Sequence, residues 1–240
     1  MTSEPDLRHL RIAVTGGTAG LGLALVRRLV AAGASVAFVA RTAARVAEVT
    51  DETGALGIVG DVGDVDHIDG IALQILGGLG GLDVLINNAS DLGPWPLKLL
   101  ADTHASELER ALAVNLVGPF RLTRALFGAL AAAARNGGGA LVLNISSDAA
   151  VNAYATWGAY GASKAALLHL GAIWDEEARA EGIRFLSIDP GDMDTALHAA
   201  AVPDADPAEL RRPADSAAEI VEAIRVALGP SESVLADADA

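Results

Sequence analysis

Short apolar runs rich in β-branched residues alternate with longer stretches whose apolar positions recur every three or four residues, and this alternation continues along most of the chain. Residues 11–16 (RIAVTG), 34–40 (ASVAFVA), 56–61 (LGIVGD), 82–89 (LDVLINNA), 140–147 (ALVLNISS) and 183–191 (IRFLSIDPG) read as strands. Residues 21–33, a segment running through Glu48, and residues 65–76, 106–135, 158–181 and 216–228 read as helices. The strands are apolar at consecutive positions, as burial on both faces requires. Strands of that kind separated by helices predict an α/β fold, a doubly wound parallel sheet with helices on both faces. A ligand site is then expected beyond the carboxyl ends of the strands, where the loops gather.

No internal repeat or domain boundary interrupts the pattern, so residues 1–240 are expected to form a single domain. The one change of texture is residues 192–213, rich in Asp, Ala and Pro, which read as a flap over the site. A composition of 52% hydrophobic and 20% charged residues supports a large core. The formal net charge of -14 argues against nucleic acid or an anionic membrane as partner. Lacking cysteine, the chain has no disulfide, thiolate metal site or cysteine nucleophile. Its polar N-terminus is unlike a signal peptide, and no apolar run reaches the ~20 residues that span a bilayer. A cytoplasmic protein without membrane contact is expected. His104 and His169 stand alone, no cluster has ligand spacing, and no metal is expected.

Directly after the first strand the chain reads Thr15-Gly16-Gly17-Thr18-Ala19-Gly20-Leu21-Gly22 and enters a helix. Glycines there allow a tight turn and close approach of a pyrophosphate, whose charge suits a helix N-terminus. Further motifs follow in order: Asn87-Asn88-Ala89-Ser90 after the fourth strand, Asn115 within the long helix, and Ser147 at the end of the fifth strand. Tyr160-Gly161-Ala162-Ser163-Lys164 then opens the next helix, and Pro190-Gly191 ends the sixth strand. From about residue 11 to residue 195 this series resembles the short-chain dehydrogenase/reductase family. The resemblance implies a Rossmann-like fold and an oxidoreductase that moves a hydride between a nicotinamide and a carbonyl or alcohol. It implies cofactor contacts from Gly16, Thr18, Gly20, Leu21, Gly22, Asp61, Val62, Asn88, Ala89, Tyr160, Lys164, Pro190, Gly191 and Thr195.

The second strand ends Phe38-Val39-Ala40-Arg41, with an arginine and no acid where a ribose 2′-hydroxyl would be held. A guanidinium there suits a 2′-phosphate, so NADP(H) is expected over NAD(H), with Arg45 one turn later as a second cation. Tyr160 and Lys164 are one helical turn apart and share a face. A free phenol, with a pKa near ~10, is a poor base at neutral pH. A neighbouring ammonium and a positive nicotinamide are expected to lower that value and make Tyr160 a general acid/base. Ser147, thirteen residues earlier, matches the family's substrate-polarising serine. Strand alternation would turn Ser146 to the opposite face. Asn115 resembles the family's helix asparagine, whose main-chain carbonyl binds a water in a proton relay; a buried amide satisfying a helix kink is the other reading.

Related halohydrin dehalogenases have an arginine in place of Lys164, and related enoyl reductases have a wider Tyr-to-Lys spacing, which here would fall on Trp157. Both chemistries are disfavoured. Ser90 replaces the family's usual glycine, implying a small backbone difference beside the adenosine. Trp95, Tyr154, Trp157, Asp192, Met193 and Leu197 are expected to line a partly aromatic, apolar substrate pocket with Ser147. Ser231 to Leu235 read as a short seventh strand without the turn that usually follows it. Tetramer assembly by that route is therefore not expected, whereas a homodimer through the two long helices is. A non-catalytic NADP(H) sensor and an interaction subunit of the same fold remain alternatives.

Overall fold

The computed structural model describes residues 7–229. The expected strand at residues 231–235 lies outside that range. Six strands, β1 (Arg11–Thr15), β2 (Ser35–Ala40), β3 (Leu56–Val59), β4 (Val84–Asn87), β5 (Ala140–Ile145) and β6 (Ile183–Ile188), form one sheet in the order β3-β2-β1-β4-β5-β6. Every pairing is parallel; Ile12 of β1, for example, lies beside Val36 of β2 and Val84 of β4. Parallel neighbours need crossovers, and helices supply them. These are α1 (Gly20–Ala31), α2 (Ala43–Thr53), α3 (Val65–Leu79), α4 (Ala105–Leu112), α5 (Gly118–Arg135), α6 (Gly158–Ala178), α7 (Ala196–Ala201) and α8 (Pro213–Leu228).

The consecutive apolar residues of each strand divide between two cores. Ile12, Val14, Phe38, Ile86 and Leu143 pack with Leu25 and Leu29 of α1 and Ile220 and Ile224 of α8. Ala13, Val39, Leu85 and Val142 pack on the other face, with Ile71 and Ile75 of α3 and Leu122, Leu126 and Leu130 of α5. Both faces are thereby withdrawn from water, each apolar square ångström contributing ~25 cal/mol. By length and composition residues 105–135 are apolar enough to cross a bilayer. Here Leu122, Leu126 and Leu130 are fully buried in the second core.

Chain order reverses between β1 and β4, which sit side by side although β1 continues toward β2. Loops leaving their carboxyl ends diverge to opposite faces and leave a crevice, the place where ligands bind in open parallel sheets.

Three elements depart from the expected pattern. The helix expected over residues 106–135 is broken into α4 and α5 by one π-helical turn, Ala113–Val117. Such a turn inserts a residue without disturbing the 3.6-residue apolar repeat enough to be seen. Second, α8 begins at Pro213, three residues early, because proline at a first helical position is pre-set for the helix. Third, the 192–213 segment contains α7 and a 3₁₀ turn, Pro207–Glu209. Its base is tied by Asp194 N–H to the Arg211 carbonyl and Arg211 N–H to the Asp192 carbonyl, both 2.9 Å.

Candidate active site

A cleft of about 380 Å³ opens at the carboxyl ends of β1 and β4. Its outer half is the turn between β1 and α1. Gly16 and Gly20 adopt φ of +72° and +49°, conformations glycine reaches without strain. A Cβ on Gly22 would stand 2.1 Å from the Gly16 carbonyl oxygen and 2.6 Å from Asn88 Nδ2, so the crossing needs a bare backbone. Asn88 fixes that crossing: its Nδ2 donates to the Thr15 carbonyl (2.8 Å), while the N–H groups of Asn88 and Ala89 both donate to Thr15 Oγ1 (3.0 Å each). Helix α1 has no capping side chain and no acid in its first turn. Its first N–H groups and dipole are therefore available to an anion.

Arg41 leaves the end of β2 into the same cleft and, among the described residues, makes no hydrogen bond or ion pair. Arg45 is engaged instead, donating to the Thr18 carbonyl (3.2 Å) and pairing with Glu48. Thr195 of the flap comes down onto this turn, its Cγ2 3.2 Å from where a Gly20 Cβ would be. All of the residues expected to touch a dinucleotide, from Gly16 through Arg41, Asp61, Val62 and Asn88 to Pro190, Gly191 and Thr195, line this one cleft.

At the inner end stand Tyr160, Lys164 and Ser147. Tyr160 is 7% exposed and Lys164 2%. Lys164 Nζ donates to the Ile145 carbonyl at 2.8 Å and lies 5.6 Å from the centre of the Tyr160 ring. Burial pushes Lys164 down to about 8. Burial also holds the Tyr160 phenol above its ordinary value; the Ser147 and Ser90 hydroxyls favour its ionised form, and the Asp189 and Asp148 carboxylates oppose it. A lowered phenol was expected from the Lys164 neighbour. The chain alone does the reverse, because burial disfavours the charged phenolate more than the neighbouring hydroxyls favour it.

Ser147 begins a 3₁₀ turn, Asp148–Ala150; its Oγ accepts from Ala149 N–H (3.2 Å) and donates to Asp148 Oδ1 (3.1 Å). Since β5 ends at Ile145, alternation stops there, and Ser146 lines the cleft beside Ser147 rather than facing away. Asn115 lies in the π-helical turn, fully buried and off the cleft wall. Its amide clamps Asp91, accepting from Asp91 N–H (2.7 Å) and donating to the Asp91 carbonyl (2.7 Å), and it donates to Ser163 Oγ (2.8 Å). The side chain thus ties the loop after β4 to α6.

Two expected pocket residues are elsewhere. Trp95 is 68% exposed and outside the cleft wall, just after the Asp91–Gly93 segment that Arg110 holds. Tyr154 is exposed and also outside the wall, its hydroxyl donating to Asp148 Oδ2 at 2.6 Å. Met193 is in the wall, joined by Leu92, Trp157, Leu197 and His198. Ala200 and Ala201 of α7, like Trp157, pack on the small cluster of Leu92, Ala149 and Tyr160, so the flap covers the inner end. His198 was not anticipated: its Nδ1 is buried without a partner among the described residues, and Nε2 lies 3.6 Å from Asp192 Oδ1. Nothing in the local sequence separates it from any surface histidine.

Residues 11–206 match the model of the short chain dehydrogenase family. The chain belongs to the short-chain dehydrogenase family. It is 37% identical over 114 residues to the short-chain dehydrogenase RED1 of Pyricularia oryzae, covering 48% of this chain and 38% of that protein. The chain spans half or less of the length of the curated relatives it matches first. Solved structures match more fully. A short-chain dehydrogenase from Streptomyces avermitilis superposes with TM-score 0.77 at 30% identity, covering 93% of this chain and 85% of that one. A metagenomic short-chain oxidoreductase in complex with NADP does so at TM-score 0.77 and 30% identity, over 95% and 94%.

In this short-chain dehydrogenase the glycine crossing is the most sharply constrained feature of the cleft. Gly22→Ala is expected to destabilise the fold by about 1–3 kcal/mol, since the clash is with backbone. That corresponds to a Tm lower by about 2–10 °C. Thermal unfolding checks it; an unchanged Tm would mean that α1 shifts freely.

Proposed function

We propose that this short-chain dehydrogenase is an NADP(H)-dependent oxidoreductase that reduces a carbonyl, or oxidises a secondary alcohol, with Tyr160 as general acid/base. The observation that carries this reading is the single cleft itself. A bare glycine crossing and the unpaired Arg41 form one end of it, and a buried Tyr160-Lys164 pair the other. The residues fit a dinucleotide: the uncapped start of α1 would hold the pyrophosphate, Arg41 a 2′-phosphate, and Lys164 the nicotinamide ribose. When bound, NADPH supplies the hydride, and NADP+ accepts it in the reverse direction.

The chain's own residues supply the proton chemistry. Ser147 lines the cleft and, with its hydroxyl turned from Asp148 to the substrate, positions the substrate oxygen; Tyr160 Oη gives that oxygen its proton as negative charge develops there. Lys164 keeps a cation beside the phenol in a space closed to water. At pH 7 a group titrating near 8 is about nine-tenths protonated. Asn115 acts through structure, fixing the Asp91 backbone and donating to Ser163 Oγ, which in turn donates to the Tyr160 carbonyl. Asp148, Asp189 and Asp192 line the substrate end with Leu92, Trp157 and Met193. That mixture suits a neutral, partly apolar small molecule and disfavours an anionic one.

The direct experiment is a panel of neutral carbonyls and secondary alcohols with both cofactors, read at the nicotinamide absorbance. Turnover preferring NADP(H) is expected. Tight NADPH binding with no turnover across the panel would favour a sensor instead. Arg41→Ala is expected to weaken NADPH by about 1.5–3 kcal/mol, on the order of 10- to 100-fold, and to leave NADH nearly unchanged. Equal losses for the two cofactors would remove Arg41 from the phosphate role.

A further inference from the structure

Ser90 stands where the resemblance leads one to expect glycine, and its surroundings give the side chain a task. The backbone around it is pinned on both sides. Thr15 Oγ1 accepts from the N–H groups of Asn88 and Ala89, and Asn115 clamps both polar groups of the Asp91 backbone. Between these anchors the Ser90 hydroxyl lies in the cleft wall with Tyr160 and Ser147. Its Oγ is buried, yet has no hydrogen-bond partner among the described residues. A buried hydroxyl without a partner is costly, and one in a reaction cleft is poised for a partner that arrives during the reaction.

Ser147 is differently placed. A serine hydroxyl has one proton, and that of Ser147 already goes to Asp148 Oδ1. The Ser90 proton is uncommitted. Both residues share the cleft wall with Tyr160, and both hydroxyls favour its phenolate.

We propose that Ser90 donates a hydrogen bond to the phenolic oxygen of Tyr160 and holds the phenolate formed when that residue gives up its proton. This rests on Tyr160 being the proton donor proposed above. In reduction the Tyr160 O–H bond breaks, the proton goes to the substrate oxygen, and the electron pair remains on the phenolic oxygen. The Ser90 O–H bond stays intact and points at that oxygen, offsetting the repulsion from Asp189 and Asp148. In alcohol oxidation the same contact holds the base ready.

The chain has only two tyrosines and no cysteine, so in a Tyr154→Phe background the ultraviolet absorbance of phenolate reports Tyr160 alone. With saturating NADP+, Ser90→Gly and Ser90→Ala are each expected to raise the Tyr160 titration by about one pH unit, and Ser90→Thr by less than about 0.3. In the enzyme with Tyr154 intact, the matching limb of kcat/KM against pH should move alike, with kcat falling about 3- to 10-fold. NADPH affinity should stay within about twofold, since the hydroxyl is given no cofactor contact. Titrations that coincide with the parent in both the Gly and Ala variants would overturn the proposal. So would a loss of NADPH affinity with no movement of the titration, which would mean a purely structural side chain. Because the titration needs no substrate, it decides the role of Ser90 even where the carbonyl panel gives no turnover.

Discussion

Tyr160→Phe is expected to lower carbonyl reduction by about 100- to 10,000-fold while leaving NADPH affinity within about twofold. The phenol ring lies between Trp157, whose ring centre is 5.6 Å away, and the Lys164 ammonium, 5.6 Å from its own centre, so phenylalanine preserves the packing. What disappears is the one titratable hydroxyl at the inner end of the cleft, together with the oxygen that the Ser147 and Ser90 hydroxyls face. Stopped-flow oxidation of NADPH with the best carbonyl of the panel measures the loss. A variant that turns over at the parental rate would take Tyr160 out of the mechanism, and Ser147 with Asp148 would become the proton source to examine.

Lys164→Met should separate function from stability. The ammonium is buried, with the Ile145 carbonyl as its hydrogen-bond partner, and burial lowers it from 10.5 to about 8. A drop of that size corresponds to a folding penalty on the order of 3 kcal/mol at neutral pH. Below pH 8 both the folded and the unfolded chain hold the proton, and the penalty is fully present. Between about 8 and 10.5 the unfolded chain binds more protons at this residue than the folded one. Its contribution to stability therefore rises with pH across that window. Methionine fills the same volume without charge but leaves the Ile145 carbonyl without its donor, at a cost of about 1–3 kcal/mol, so the net gain is expected near 0–2 kcal/mol. Chemical denaturation at pH 7 should show that gain, turnover should fall by at least about 100-fold, and the variant should lose the rise above pH 8. A less stable variant would show that Lys164 is held by more than the carbonyl.

The sheet was legible because its strands carry apolar residues on both faces, and only a parallel sheet covered by helices buries both. The dinucleotide end was legible for a related reason. Gly16, Gly20 and Gly22 answer to backbone geometry that local sequence displays, and Asn88 binds the same turn. The substrate end was not. Whether Trp95 faces the cleft depends on Arg110 gripping Asp91 and Gly93 from another helix, an arrangement no local pattern announces. His198 reaches the cleft only because the flap folds back and ties Asp194 to Arg211. Asn115 was marked by its position in the long helix, but the π-helical turn and its clamp on Asp91 come from tertiary contact. Ser90 was visible as a departure from glycine, but that its hydroxyl is buried without a partner among the described residues, in the cleft it shares with Tyr160, is set by tertiary contact.

The most direct test is isotopic. The protein is incubated with each neutral carbonyl and NADPH deuterated at the reactive carbon of its nicotinamide ring, and the alcohol product is read by mass spectrometry. Direct hydride transfer in this cleft places deuterium on the carbinol carbon in the wild type and almost none in Tyr160→Phe over the same time. Label that stays entirely on the nicotinamide in the wild type, with NADPH demonstrably bound, would contradict the oxidoreductase mechanism.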